Sequence, residues 1–149
     1  MEVEASAPAP LWTIAVVALA PFPVSAVIYA YGAPEVGPVA LTAILTWSAM
    51  VLSFLGGVRW GLESGRPAPR LLRLLASVIS SVAAWSLLMA RDQVSTAWLL
   101  GGFIVAFILQ WLFDHAAPDV PARYPRLSTL LTAGACVSLA VALEHALSM

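Results

Sequence analysis

The segment SFLGGVRWGLESGRP (residues 53–67) contains the end of a long apolar run and the start of a polar loop. Two adjacent glycines, an arginine, a tryptophan and a glutamate follow one another within it. A change from apolar to charged sequence, with a tryptophan at the boundary, is typical of a helix that leaves a lipid bilayer. The segment therefore predicts the end of a transmembrane helix near Gly61.

The composition of the whole chain favours the same environment. Of its 149 residues, 61% are hydrophobic and only 10% are charged, too few to cover the surface of a soluble domain. The charges are clustered, and several stretches between them reach the roughly 20 apolar residues that a bilayer span requires. The net charge of −1 argues against nucleic acid as a partner. We expect an integral membrane protein in contact with membrane lipids.

The apolar stretches predict an all-α, polytopic bundle that forms a single domain, residues 11–149, after a short disordered lead, residues 1–10. Helices are expected because lipid satisfies no backbone groups and the alternating polarity of barrel strands is absent. Pro21 and Pro23 predict a kink in the first helix. Five transmembrane helices are predicted, at about residues 11–31, 39–61, 71–90, 95–113 and 127–147.

The distribution of arginine predicts the orientation. Five spans place the two termini on opposite sides of the membrane. Only Arg91 lies on the carboxyl-terminal side, whereas the amino-terminal side collects Arg66, Arg70, Arg73, Arg123 and Arg126. The positive-inside rule then predicts a cytoplasmic amino terminus and an external carboxyl terminus. We expect a multi-pass protein of the bacterial inner membrane.

Arg59 has two interpretations. It lies 21 residues after Pro38, or about 31 Å along a helix, which places it at the inner boundary of the bilayer. It could be an interfacial anchor whose side chain reaches the headgroups, the simpler of the two. It could instead belong to a polar cluster at the cytoplasmic end, because charged groups held together in low dielectric often mark sites. The members of that predicted cluster are Arg59, Glu63, Gln110, Asp114 and His115.

Small residues recur every four positions on three of the predicted helices and form ridges. Such ridges allow two helix backbones to approach closely within lipid. Gly57 lies about 200° around the helix from Arg59, so the ridge and the arginine should face opposite ways. The predicted packing residues are Ser53, Gly57 and Gly61 on the second helix, Ala76 and Ser80 on the third, and Gly134 and Ser138 on the fifth.

The string FLGGVRWG, which follows a tryptophan-containing span and precedes a short basic loop, resembles an uncharacterised family. This domain-of-unknown-function family consists of small membrane proteins related to mitochondrial transmembrane protein 69. The first span, with its APFP motif, is similar as well. The resemblance implies an architecture and a membrane location, and it implies that Gly57, Arg59 and Trp60 matter. It implies no reaction.

The sequence lacks the motifs of an enzyme. No nucleophile–base arrangement and no phosphate-binding loop stand out, and the two histidines are predicted at opposite faces of the membrane, where they cannot share a metal ion. We expect no enzymatic activity, and any cofactor is unknown. Two functions remain: an accessory or assembly component that packs against other membrane proteins or itself, or a binder of a porphyrin, quinone or lipid lined by Trp47 and Trp85.

Overall fold

The computed structural model describes the backbone of residues 9–65, 67–116 and 123–148, and the side chains of residues 12–65, 67–113 and 129–148. The predicted disordered lead lies outside the described residues except for its last two positions, which begin the first helix. Within these ranges the helices are α1 (Ala9–Leu19), α2 (Pro21–Tyr31), a short 3₁₀ helix (Pro34–Val36), α3 (Gly37–Ser64), α4 (Leu71–Met89), α5 (Thr96–Ala116) and α6 (Arg123–Ser148).

The predicted all-α, five-span architecture is confirmed. Five helical segments of the described chain are long and apolar enough to cross a membrane, with α1 and α2 together forming the first. All five begin and end within five residues of the predicted bounds. They are Trp12–Tyr31, Pro34–Ser64, Leu71–Met89, Thr96–Phe113 and Thr129–Ser148.

The first span is divided at Ala20 into α1 and α2. Pro21 and Pro23 carry no backbone N–H, so two of the hydrogen bonds that would bridge this point are missing. Ala20 itself keeps helical angles, with φ −56° and ψ −40°. Its N–H donates to the carbonyl of Val16 at 3.0 Å, and the N–H of Val24 donates to the carbonyl of Ala20 at 3.3 Å. The chain therefore keeps its helical path across the two prolines, and the kink at this point stays a prediction.

The apolar core is formed mainly by α2, α3, α5 and α6. Phe22 of α2 and Phe107 of α5 are fully buried and meet edge to face, with ring centroids 6.0 Å apart. Half of the apolar window of α3 is buried inside the bundle, compared with 11% of that of α4. Helix α3 is thus central, whereas α4 lies at the edge and presents most of its surface to lipid.

Candidate functional site

The carboxyl-terminal turns of α3 carry two charged side chains into the bundle. Arg59 and Glu63 are one turn apart, and each is only 4% exposed. They lie on the opposite side of α3 from Gly57 and Gly61, which face outward. Of the two sequence interpretations of Arg59, this geometry corresponds to the polar cluster, because an interfacial anchor would extend its guanidinium towards the headgroups.

Glu63 is bound by Arg70, which lies in the loop just before α4. The carboxylate accepts hydrogen bonds from Nε of Arg70 at 3.0 Å and from Nη2 at 2.9 Å. It also accepts the backbone N–H of Arg70 at 2.8 Å. The hydrogen bonds to Glu63 raise the pKa of Arg70. This forked, charge-assisted arrangement ties the loop back onto the end of α3.

Phe113 of α5 contacts two arginines from two other helices. The Cζ atom of Arg59 lies 5.1 Å from the centroid of the Phe113 ring, and the Cζ atom of Arg73, in the first turn of α4, lies 5.2 Å from it. Both distances fall within the range of cation–π attraction. Helices α3, α4 and α5 are therefore joined at this end through one aromatic ring.

A second polar contact lies deeper between the same helices. The hydroxyl of Ser80 on α4 donates to Oε1 of Gln110 on α5, and both residues are buried. Gly56 of α3 permits this approach, because a Cβ atom added there would lie 2.5 Å from the carbonyl oxygen of Ser77 and 3.1 Å from Cβ of Ser80. Gly56, rather than Gly57, is the glycine of closest approach between α3 and α4.

We refer to Arg59, Glu63, Arg70, Arg73, Gln110 and Phe113 as the polar end cluster. Three of these six were predicted from the sequence: Arg59, Glu63 and Gln110. Asp114 and His115 belong to the last turn of α5, and their side chains lie outside the described residues. Arg70, Arg73 and Phe113 were missed, since a loop arginine and a terminal phenylalanine are ordinary features of a span. The sequence does contain a signal for Gly56. It lies three residues before Arg59 and therefore shares the helical face of that side chain.

The other predicted packing residues divide between the interior and the surface. Ser80 and Ser138 are buried, and a side chain at Gly134 would collide with Leu19 of α1. Ala76 and Ser53 are partly buried. Gly57 and Gly61 are exposed, and no described residue comes within 4 Å of a Cβ atom added at either. The ridge of α3 thus continues onto a surface that no other described helix of the chain covers.

The two tryptophans predicted as ligand-lining have different surroundings. Trp47 is partly buried, and its indole N–H donates to the carbonyl of Ala18 at 2.8 Å, just before the prolines of the first span. Trp85 is 63% exposed on the outer face of α4. Hydrogen bonding explains the first position and lipid contact explains the second. Neither position favours ligand binding over these structural roles.

The described part of the polar end cluster has an excess of positive charge. Its members include three guanidinium groups, those of Arg59, Arg70 and Arg73, and one carboxylate, that of Glu63. The arrangement can hold three helices together. Among the described residues, no group of three or more histidine, cysteine or carboxylate side chains is placed to hold a metal ion.

Comparison with known proteins supports the architecture. A family model described as "Protein of unknown function (DUF3429)" matches residues 7–144. Transmembrane protein 69 of Xenopus tropicalis is 34% identical over 101 residues, which make up 65% of this chain and 39% of that protein. The matched region therefore spans well under half of the relative's length. No solved structure matches the chain significantly.

Proposed function

The chain belongs to this family of proteins of unknown function, as the FLGGVRWG string predicted, and we propose that it is a non-enzymatic accessory or assembly component. It packs against other membrane proteins, or against a second copy of itself, through the outward face of α3. We define that face by Ser53, Gly57 and Gly61. The observation that carries the proposal is that Gly57 and Gly61 lie on the surface with open space beyond them.

Two glycines one helical turn apart on a lipid-facing surface bring little benefit to the chain alone. Glycine inside a helix costs about 1 kcal/mol relative to alanine. Gly56 already provides the close approach that α4 requires. In lipid, where no hydrophobic force drives helices together, a pair of glycines spaced by four allows a second backbone to come close enough for strong van der Waals contact. The outward face of α3 has this pattern.

The proposal includes the location. A multi-pass membrane protein is supported by the five apolar helical segments. The bacterial inner membrane and the cytoplasmic amino terminus rest on the arginine distribution of the sequence. The similar frog protein is eukaryotic, so it supports a membrane location but not a bacterial one.

The test is a substitution that fills the outward face without disturbing the fold. We expect Gly57→Leu to leave the thermal unfolding of the detergent-solubilised protein unchanged, because its side chain points into open space. The same variant should lose association, measured by crosslinking in native membranes and by energy transfer between differently labelled copies. Gly101→Leu is the matched control, since Gly101 of α5 is also a helical glycine with no described residue near an added Cβ atom.

The proposal fails if Gly57→Leu retains the same crosslinked species and the same energy transfer as the wild type. It also fails if Gly101→Leu abolishes association equally, because the effect would then not belong to α3. If Gly57→Leu loses only the energy transfer between copies, the face mediates self-association. If it loses only the crosslinks to other proteins, the face serves an accessory role. Either loss supports packing through this face.

A further inference from the structure

The first span has a weak point near its middle, where α1 ends. Pro21 and Pro23 carry no backbone N–H, so the carbonyls of Val17 and Leu19 lose the donors that lie four residues further on in a regular helix. The hydrogen bonds made by Ala20 across the division remain, at 3.0 and 3.3 Å. A helix that lacks two bridging hydrogen bonds bends more easily at that point than elsewhere.

Helix α1 contacts the bundle through one face only, which packs against α6. Of its side chains from residue 12 onward, Ala15 alone is buried. Leu19 shares that face and fills the space beside Gly134 of α6, where an added Cβ atom would collide with it. The rest of the circumference is open to lipid, with Ile14, Val16 and Val17 66%, 56% and 65% exposed. Helix α2 has the same length and buries four side chains: Phe22, Ser25, Ala26 and Tyr29.

A hydrogen bond from α3 holds the end of α1 in place. The indole N–H of Trp47 donates to the carbonyl of Ala18 at 2.8 Å. This carbonyl lies on the docked face of α1, between the two carbonyls that the prolines leave without helical donors. Inside a bilayer no water replaces such a bond when it breaks, so the indole opposes detachment of α1.

We propose that α1 is a hinged half-span, which swings away from α6 as one unit with its pivot at the two prolines and the indole of Trp47 as the latch. The 11 residues of α1 extend over about 16 Å, so a bend of about 20° at the pivot moves the far end by about 6 Å. Opening uncovers the surface of α6 around Gly134 and frees the indole N–H. The position of α1 thus controls access from the bilayer to this part of the bundle. The device is independent of the proposed association through α3.

The experiment measures distances between spin labels by double electron–electron resonance in lipid nanodiscs. One pair, Ile14→Cys with Ile79→Cys, joins α1 to α4. The reference pair, Val24→Cys with Ile79→Cys, joins α2 to α4. All three positions are more than half exposed, and the single native cysteine is removed by Cys136→Ser. Because both pairs share the label on α4, a movement of α4 affects both distances, whereas a movement of α1 affects only the first.

Each half of the proposal has its own variant and control. Trp47→Phe should raise the ratio of open to closed α1 about fivefold, the factor expected for one hydrogen bond. It appears as a displaced component in the α1–α4 distance. Trp98→Phe should leave that distance unchanged, since Trp98 is 77% exposed on α5. Pro21→Ala combined with Pro23→Ala should remove the displaced component, because both carbonyls regain donors. Pro38→Ala should not, since a proline in the first turn of a helix interrupts no helical hydrogen bond.

Three results would overturn the proposal. The hinge is excluded if the α1–α4 distance of Trp47→Phe is as narrow as the α2–α4 distance. The latch is excluded if Trp98→Phe opens α1 equally, and the pivot is excluded if the double proline variant keeps the displaced component. Pro23→Ala alone replaces the double variant if the latter does not fold. If Trp47→Phe does not fold, Gly134→Val decides: its side chain takes the space of Leu19, so an increased open fraction supports the proposal and an unchanged one contradicts it.

Discussion

The inward and outward faces of α3 differ at neighbouring positions of the sequence. Gly56 meets Ser77 and Ser80 so closely that a Cβ atom would collide with them, whereas Gly57 faces open space. Consecutive residues lie about 100° apart around a helix, so one glycine serves the fold and the next is left for contacts outside it. The role of a glycine here follows from its angular position relative to the bundle, and not from the motif that contains it.

The same division continues to the end of the helix. Arg59 and Glu63 are 4% exposed on the inward face, while Trp60 is 47% exposed between them on the other side. A soluble helix would show the reverse distribution. In lipid, charged groups lower their free energy by facing one another inside the bundle, and apolar groups are equally stable against lipid tails. The inward face is therefore the polar one at this end of α3.

The largest expected difference between the two faces comes from enlarging the adjacent glycines. Gly56→Leu should destabilise the protein by about 3 kcal/mol, because overpacking would push α4 away from α3. Gly57→Leu should leave the unfolding free energy unchanged within about 0.5 kcal/mol. Unfolding in mixed detergent micelles, followed by circular dichroism, measures both. Equal unfolding free energies for the two variants would mean that the faces have been assigned wrongly.

A smaller effect is expected when the ion pair at the end of the inward face is removed. Glu63→Gln should cost about 1.5 kcal/mol, the lower end of the range for hydrogen bonds to charged groups, since Arg70 is 41% exposed and water can replace part of what it loses. Glu35→Gln is the matched control, because Glu35 is an exposed carboxylate at the opposite end of the chain's second span. The same unfolding assay applies.

If neither Glu63→Gln nor Glu35→Gln changes the unfolding free energy, the hydrogen bonds of Arg70 to Glu63 add nothing to stability. The inward face would then depend on packing alone.

The smallest of the three effects concerns the aromatic ring shared by the arginines. Arg59→Met and Phe113→Leu should be non-additive by about 1 kcal/mol in a double-mutant cycle, because each removes the same cation–π contact. Trp60→Leu is the outward-facing control and should combine additively with Phe113→Leu. The cycle uses unfolding free energies in the same micelles. Additivity of the Arg59 and Phe113 changes would mean that the guanidinium does not interact with the ring in the folded protein.

The sequence alone determined the number of spans. Each apolar stretch has the length that a bilayer requires, and the backbone in lipid must be helical, so the bounds of the helices could be predicted within a few residues. Pro21 and Pro23 remove hydrogen bonds locally, which explains why the first span is divided into α1 and α2 at Ala20. The opposition of Gly57 and Arg59 followed from the helical period alone.

The tertiary structure decided which of those two faces points inward and what it meets there. Helix rotation within a bundle depends on contacts between segments far apart in sequence, which no local pattern encodes. The four-residue repeat of small residues predicted Gly57 as the site of close approach, whereas the structure has Gly56 there. Phe113 is an unremarkable apolar residue in the sequence. It contacts Arg59 and Arg73 only because the end of α3, the start of α4 and the end of α5 lie together in the bundle. Local sequence specifies each helix, and the long-range packing of side chains specifies the site.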